Sequence, residues 1–286
     1  MEAKMDKNKI SELSRLATKV RLGIINSTHA AKCGHPGGSL SIADILTYLY
    51  FEEMNIDPEN PKWEERDRFV LSKGHTAPAL YSTLSLRGFF PEEELLTLRK
   101  IDSRLQGHPD MKGIPGVDMT TGSLGLGISA ACGMALAGKI DKKGYRVFTV
   151  LGDGESEEGQ GWEACMFSSH YKLDNLVCFV DSNKMQLDGP VDTVMSHGKG
   201  LGAKFDAFGW NVINVADGND VEQIYDAVMA AAECKGQPTA IILNTVKGKG
   251  CTFAEPSGAH SSQPNADQWA EAIAAAEAEL AAVKAQ

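Results

Sequence analysis

Two short runs, Val147-Phe148-Thr149-Val150-Leu151 and Leu176-Val177-Cys178-Phe179-Val180, constrain this chain more than any other feature. Neither alternates polar with apolar residues, so each reads as a strand buried on both faces. Glu158 to Leu173, between them, fits one helix. A strand-helix-strand crossover of this length makes the strands parallel and opens their carboxyl tips at the same edge of the sheet. Open parallel sheets bind ligands at that edge. Gly152-Asp153-Gly154 lies at the first tip and Asn183 just beyond the second. Asp153 offers a carboxylate and Asn183 an amide oxygen, hard donors suited to Mg²⁺ or Ca²⁺, while the flanking glycines let backbone approach a phosphate closely. The pattern is that of a metal-diphosphate clamp, although Asp between two glycines alone is also ordinary turn chemistry.

The rest of the chain supports a parallel α/β fold. Ile10 to Ala31 carries apolar residues at helical spacing and delivers the chain to Gly34-His35-Pro36-Gly37. Ser41 is placed to cap a second helix running to about Met54, Ala77 to Leu86 reads as a third, and Pro91-Glu92-Glu93-Glu94 has the composition of a helix start. Gly107 to Gly127, dense in glycine and proline, is an ordered loop feeding a helix from Gly125 to Ala137. Strands are expected at Asn211 to Val215 and Thr239 to Val246, around a helix from Val221 to Cys234, and the Ala-rich Asp267 to Gln286 forms a terminal helix.

A chain of 286 residues can bury a sizeable core. Its formal net charge of -10 and the lack of a dense basic run argue against a nucleic-acid surface. A diphosphate must then be held by local groups and a metal. No apolar stretch approaches the roughly 18 residues of a membrane span, and Met1 to Asp6 lacks the apolar core of a signal peptide, so a cytoplasmic, non-membrane protein is expected. The six cysteines show no C-x-x-C pairing and read as reduced thiols. Glu155, Glu157 and Glu163 are expected on a solvated acidic face. Of the seven histidines, His35, His75, His108 and His260 stand in turns containing Gly, Pro or Ser, where functional polar groups concentrate; His29, His170 and His197 are less distinctive.

These segments together resemble the transketolase family. The matching stretches are Gly34 to Gly37, Asp67-Arg68-Phe69-Val70-Leu71-Ser72-Lys73-Gly74-His75, Gly107-His108-Pro109, Pro115 to Gly125, Gly152 to Gly154, Glu158-Gly159, Trp162 to Ala164, His170 to Leu176, and Asp181 to Gly189. The resemblance implies a thiamine-diphosphate-binding fold, with residues 1–286 forming one diphosphate-binding domain bearing an N-terminal helical arm and a C-terminal helix. It implies thiamine diphosphate with Mg²⁺ or Ca²⁺ as cofactors, and transfer of a two-carbon ketol unit from a ketose, a sugar phosphate or similarly anionic sugar, to an aldose. By the same resemblance His75 holds the diphosphate, His35 touches substrate hydroxyls and His108 stands beside the reactive thiazolium carbon. His260 is shared by diphosphate and substrate, although Ser261 follows it where the family often has glycine. Gly122 and Leu124 line the aminopyrimidine, Gly154 donates its N–H to the diphosphate, and Asp153, Asn183 and the Met185 carbonyl ligate the metal. Glu158 matches an interface glutamate between paired active sites, and its place at a helix start is equally explained by the helix dipole.

Only the diphosphate-binding part of the family is matched. The family's carboxyl partner for the aminopyrimidine N1′ comes from a pyrimidine-binding domain, and no segment after Lys247 is long enough to be one. The expectation is a split enzyme in which a second, pyrimidine-domain subunit completes each site, in an α2β2 heterotetramer that holds most of the substrate-specificity contacts on the partner. The alternatives are the alpha subunit of a 2-oxo acid dehydrogenase, a deoxyxylulose-phosphate synthase relative, and a noncatalytic thiamine-diphosphate-binding subunit. The histidine motifs from Gly34 to Pro109 favour transketolase over the first, Ser72 to His75 and the short chain disfavour the second, and intact Asp153, Asn183, His75 and His108 disfavour the third.

Overall fold

The protein is described by a computed structural model covering residues 4–255 and 264–283. Helix α1 (Lys7–Ala31) starts where Asp6 Oδ1 accepts from the backbone N–H of Asn8 at 2.8 Å. It ends at Lys32, whose φ of 52° turns the chain into the left-handed region. There follow α2 (Pro36–Leu40), α3 (Ala43–Tyr48) with a π-turn over Leu49–Glu53, strand β1 (Arg68–Leu71), and α4 (Ala77–Arg87). Next come α5 (Leu126–Ile140), β2 (Val147–Gly152), α6 (Gly159–His170), β3 (Leu176–Asp181), and a two-residue hairpin of β4 (Met185–Gln186) and β5 (Gly189–Pro190). The chain continues through α7 (Val191–Val194), α8 (Leu201–Ala207), β6 (Asn211–Val215), α9 (Val221–Glu233), β7 (Thr239–Leu243) and α10 (Ala266–Val283).

The five-stranded sheet has the order β1-β2-β3-β7-β6, with every pairing parallel. The expected crossover is present: Val147 pairs with Leu176, and the register runs to Gly152 beside Asp181, which brings both strand tips to one edge. Alternate strand side chains enter two cores. Phe148, Val150 and Phe179 pack on the side of α1, α3 and α9, while Leu151, Cys178 and Val180 face α5, α6 and α8. Burial on both faces is why these strands lack polar alternation.

Several expected elements come out differently. Ser41 starts no helix and instead closes α2 as its C-cap: its Oγ donates to the Gly38 carbonyl at 3.0 Å and to Asp181 Oδ2 at 2.7 Å, and the segment is divided into α2, α3 and the π-turn. The Pro91 start opens a 3₁₀ turn, Glu92–Thr97, whose chain leaves helical geometry at Leu98. The last strand stops at Leu243: the Asn244 N–H makes the final ladder bond to the Val215 carbonyl, and beyond it Thr245 turns its hydroxyl to Asp181. Strand β1 is unexpected: its apolar run Phe69-Val70-Leu71 is only three residues long and follows arginine. Helix α10 lies against α1, with the Trp269 indole stacked on His29 at 5.0 Å.

Candidate active site

A cleft of about 360 Å³ opens at the carboxyl edge of the sheet. His35, His75, His108, Gly122, Leu124, Asp153, Gly154, Asn183 and Met185, far apart in sequence, all line it. His260 and Ser261 lie outside the described residues.

Each loop reaches the cleft for a local reason. His35 is the residue before the Pro36 that starts α2, and its ring stands edge-on to His75 at 5.2 Å. His75 sits in the 3₁₀ turn Gly74–Thr76, where the turn and the 121–122 loop touch so closely that a Cβ on Gly74 would lie 2.8 Å from the Thr121 backbone. Thr121 Oγ1 donates to the Leu71 carbonyl at 2.7 Å, fastening that loop to the end of β1. Tyr81 Oη donates to the carbonyls of Gln106 and His108, holding the His108 backbone, and the His108 ring lies against Gly122. Burial, followed by the charge of Arg99, drives the His35 imidazole down to about 4, and the same two causes lower His108. Both rings are neutral at pH 7, each able to donate and accept.

At the strand tips, the Asp153 carboxylate accepts from the Gly154 N–H at 2.9 Å through Oδ1 and from the Lys184 N–H at 2.6 Å through Oδ2. The Gly154 N–H, expected to donate to a diphosphate, is here turned to Asp153. Asn183 Nδ2 donates to Asp181 Oδ2 at 2.8 Å and its Oδ1 accepts from the Met185 N–H at 3.1 Å, which fixes the amide with its oxygen end away from Asp181. Burial, with the Asp181 charge second, pushes Asp153 up to about 7. A buried carboxyl carrying that much unfavourable negative charge, beside an oriented amide oxygen and a backbone carbonyl, fits a hard divalent cation. Among the described residues no three His, Cys, Asp or Glu side chains gather as a metal site. The donor set is therefore mixed oxygen, the kind that phosphate oxygens and water complete.

Sequence reasoning missed five groups. Asp181, fully buried, accepts from Lys73, Thr245, Ser41 and Asn183. Lys73 also donates to the Gly38 carbonyl at 2.9 Å, so a buried ammonium underlies the cleft in a paired state. Lys247 Nζ donates to the Met185 carbonyl at 3.2 Å, and burial lowers its pKa to about 8. His197, expected to be unremarkable, is buried; Lys204 can only donate to its Nδ1, so Nε2–H donates to the Asp153 carbonyl at 3.0 Å. Glu155 corrects the expected solvated acidic face. It is buried and accepts from Ser72 Oγ at 2.7 Å and from the N–H groups of Gly125 and Gly152 at 2.9 and 3.0 Å, tying β1, α5 and β2 together below the cleft. Its adjacency to glycine-rich turns was the available signal.

Fold and site together define an α/β domain with a cleft at the carboxyl edge of a parallel sheet, lined by oxygen donors, glycine turns and histidines. The family described as transketolase, thiamine diphosphate binding domain, matches residues 13–279. The chain belongs to the transketolase family. It is 46% identical over 269 residues to the 6-deoxy-6-sulfo-D-fructose transketolase subunit SqwG of Clostridium sp. (strain MSTE9), covering 94% of this chain and 97% of that one. It is 40% identical over 265 residues to a subunit of the apulose-4-phosphate transketolase of Phocaeicola vulgatus, covering 92% and 93%. The Pichia stipitis transketolase crystallised with sedoheptulose 7-phosphate superimposes with a TM-score of 0.84 at 31% identity, over 96% of this chain and 44% of that chain. The chain likewise spans 42% of the Homo sapiens transketolase.

Proposed function

We propose that this chain is the cofactor-diphosphate subunit of a two-component transketolase, moving a two-carbon ketol unit from an anionic ketose to an aldose. The observation that carries the proposal is the one cleft into which separate loops bring every described residue of the expected site. Asp153, Asn183 and the Met185 carbonyl would hold Mg²⁺, with Ca²⁺ chemically able to replace it. His75, Gly154 and Lys247 would hold the diphosphate, and Gly122 and Leu124 the aminopyrimidine. Thiamine diphosphate, when bound, supplies the carbon nucleophile and the electron sink of the reaction.

The chain itself orients and moves protons. His35 and His108, held neutral, face the reacting end of the cleft, where an imidazole can hydrogen-bond a sugar hydroxyl and accept or return its proton as the carbon–carbon bond changes. Asp181 fixes the Asn183 amide, so the metal-ligating oxygen is presented without reorganisation. SqwG and its apulose-4-phosphate counterpart are each named as one subunit of a transketolase and are matched nearly end to end. That supports a separate pyrimidine-domain partner here and a sulfonate- or phosphate-bearing sugar as substrate; two copies of each chain are proposed because closed, symmetric assemblies are the usual form of such complexes. Among the described residues no helix is long and apolar enough to cross a membrane, in keeping with the proposed cytoplasmic location.

The test is atom tracing. With the partner present, ketose labelled with ¹³C at C1 should pass its label to C1 of a new ketose built on the added aldose. Release of labelled CO₂ from a 2-oxo acid, with no transfer from ketose, would replace this reading with that of a 2-oxo acid dehydrogenase.

A further inference from the structure

From Asp192 in α7 to Lys199 before α8, every residue is exposed except His197, which is 8% accessible. A polar ring turned inward from so exposed a stretch needs partners for both nitrogens. It has them: Nε2–H donates to the Asp153 carbonyl at 3.0 Å, and Nδ1 accepts from Lys204 Nζ at 3.2 Å. Lys204, in α8, lies over the Trp162 ring of α6, 5.4 Å from its centroid. Trp162 Nε1 donates to the Ser156 carbonyl at 3.0 Å, and the Ser156 N–H returns to the Asp153 carbonyl at 3.1 Å. These contacts close a circuit on one atom, the Asp153 carbonyl oxygen, which accepts twice and so uses both lone pairs.

We propose that His197 is a positioning residue of the metal site, fixing the Asp153 backbone so that its carboxylate meets the cation already oriented, and that Lys204 sets the tautomer this requires. The inference rests on the metal and diphosphate reading proposed above and adds a supporting pair to that site. Asp153 follows the last residue of β2, so the sheet holds only its N–H side, through a bond to the Asp181 carbonyl at 3.2 Å. The bond from His197 restrains the peptide on the other side, as outer partners do for metal ligands. A lysine ammonium has no acceptor, so with Lys204 on Nδ1 the imidazole proton lies on Nε2, facing the carbonyl. With the proton on Nδ1 instead, two lone pairs would face each other across 3.0 Å and the carbonyl would lose a donor. A side chain that merely anchored the loop would need neither a donor at Nε2 nor a cation behind Nδ1.

The test uses His197→Phe, His197→Gln and Lys204→Met in the complex with the partner subunit, with calorimetry reading Mg²⁺ affinity at saturating thiamine diphosphate. His197→Phe keeps a ring without a donor and should weaken Mg²⁺ binding by about tenfold or more. His197→Gln, whose Nε2 donates from nearly the same place, should bring the affinity back to within about threefold of wild type. Lys204→Met, which frees the tautomer, should fall between, and it carries the test if His197→Phe does not fold. Wild-type affinity in both His197→Phe and Lys204→Met would reduce His197 to a loop anchor and overturn the proposal. Equal losses in His197→Gln and His197→Phe would overturn it too, because the shape of the ring and not the donated bond would then matter.

A second readout needs neither metal nor cofactor. In the full chain with ¹⁵N-labelled histidines, the His197 resonances should show Nε2 carrying the proton and Nδ1 bare, and Lys204→Met should move both toward a mixture of tautomers. A wild-type ring protonated at Nδ1, or a pattern that Lys204→Met leaves unchanged, contradicts the role of the pair. The two readings fail separately. Wild-type Mg²⁺ affinity in His197→Phe removes His197 from the site and leaves the functional reading standing, whereas a wild-type complex that binds no thiamine diphosphate with Mg²⁺ contradicts the functional reading and the metal-site role with it.

Discussion

At the residue scale the site turns on one buried carboxyl. Asp153→Ala should abolish metal-dependent binding of thiamine diphosphate while leaving the fold intact, because it removes a ligand and leaves diphosphate charge unneutralised. Calorimetry showing wild-type affinity in that variant would remove the clamp. Protonation gives a second check. With its pKa raised to about 7, Asp153 keeps a proton in the folded chain that the unfolded chain has already lost. In the metal-free protein its contribution to stability is therefore full below about pH 4 and is lost as pH rises through about 7. Metal binding requires the carboxylate, so Mg²⁺ affinity should increase from about pH 6 to about pH 8, and titrations showing the opposite slope would contradict the assignment. The histidines separate by position. His108→Ala should cut turnover by about a hundredfold or more with cofactor affinity nearly kept, whereas His75→Ala should chiefly raise the cofactor concentration required. Steady-state kinetics with the reverse pattern would exchange the two roles. Asp153 and Asn183 could be read from sequence because one crossover joins them. Asp181, Lys73, Lys247 and Glu155 could not, since their meaning depends on partners brought from other loops, as Lys73 meets Asp181 only through the order β1-β2-β3.

At the scale of elements, the site is as precise as the close approach of its loops. Gly127, in the first turn of α5, lies against the Ser72 backbone, where a Cβ would come within 2.5 Å of Ser72 Cα. Gly127→Ala should push α5 away from the turn that carries His75 and stretch the Ile128 N–H to Ser72 Oγ bond of 3.1 Å. A loss of about 1–3 kcal/mol in urea unfolding, together with weaker cofactor binding, is expected; wild-type values for both would show that the contact has slack. Long periodic or continuously apolar segments, α1, β2, β3, β6 and α9, could be placed from sequence because their burial dictates their residue types. Strand β1 and the division of residues 36–53 could not. The first is short and begins with Arg68, whose guanidinium instead lies over the Tyr145 ring at 4.3 Å. The second is set by tertiary bonds such as Ser41 to Asp181, which override the capping that a serine would otherwise supply.

At the scale of the whole molecule, the described cleft is proposed to supply the groups for metal, diphosphate and sugar. The carboxyl that the family uses to activate the aminopyrimidine is proposed to come from the partner. Leu187, on the β4-β5 turn at the cleft, and Leu126, at the start of α5, are among its exposed large apolar side chains, 68% and 50% accessible, as a surface awaiting another polypeptide would show. The most direct measurement is ketol transfer by the purified chain saturated with thiamine diphosphate and Mg²⁺, assayed alone and after addition of a pyrimidine-domain subunit. The chain alone should show no turnover, and the mixture should transfer the two-carbon unit at a rate that saturates with the partner. Robust turnover by the chain alone would contradict the account.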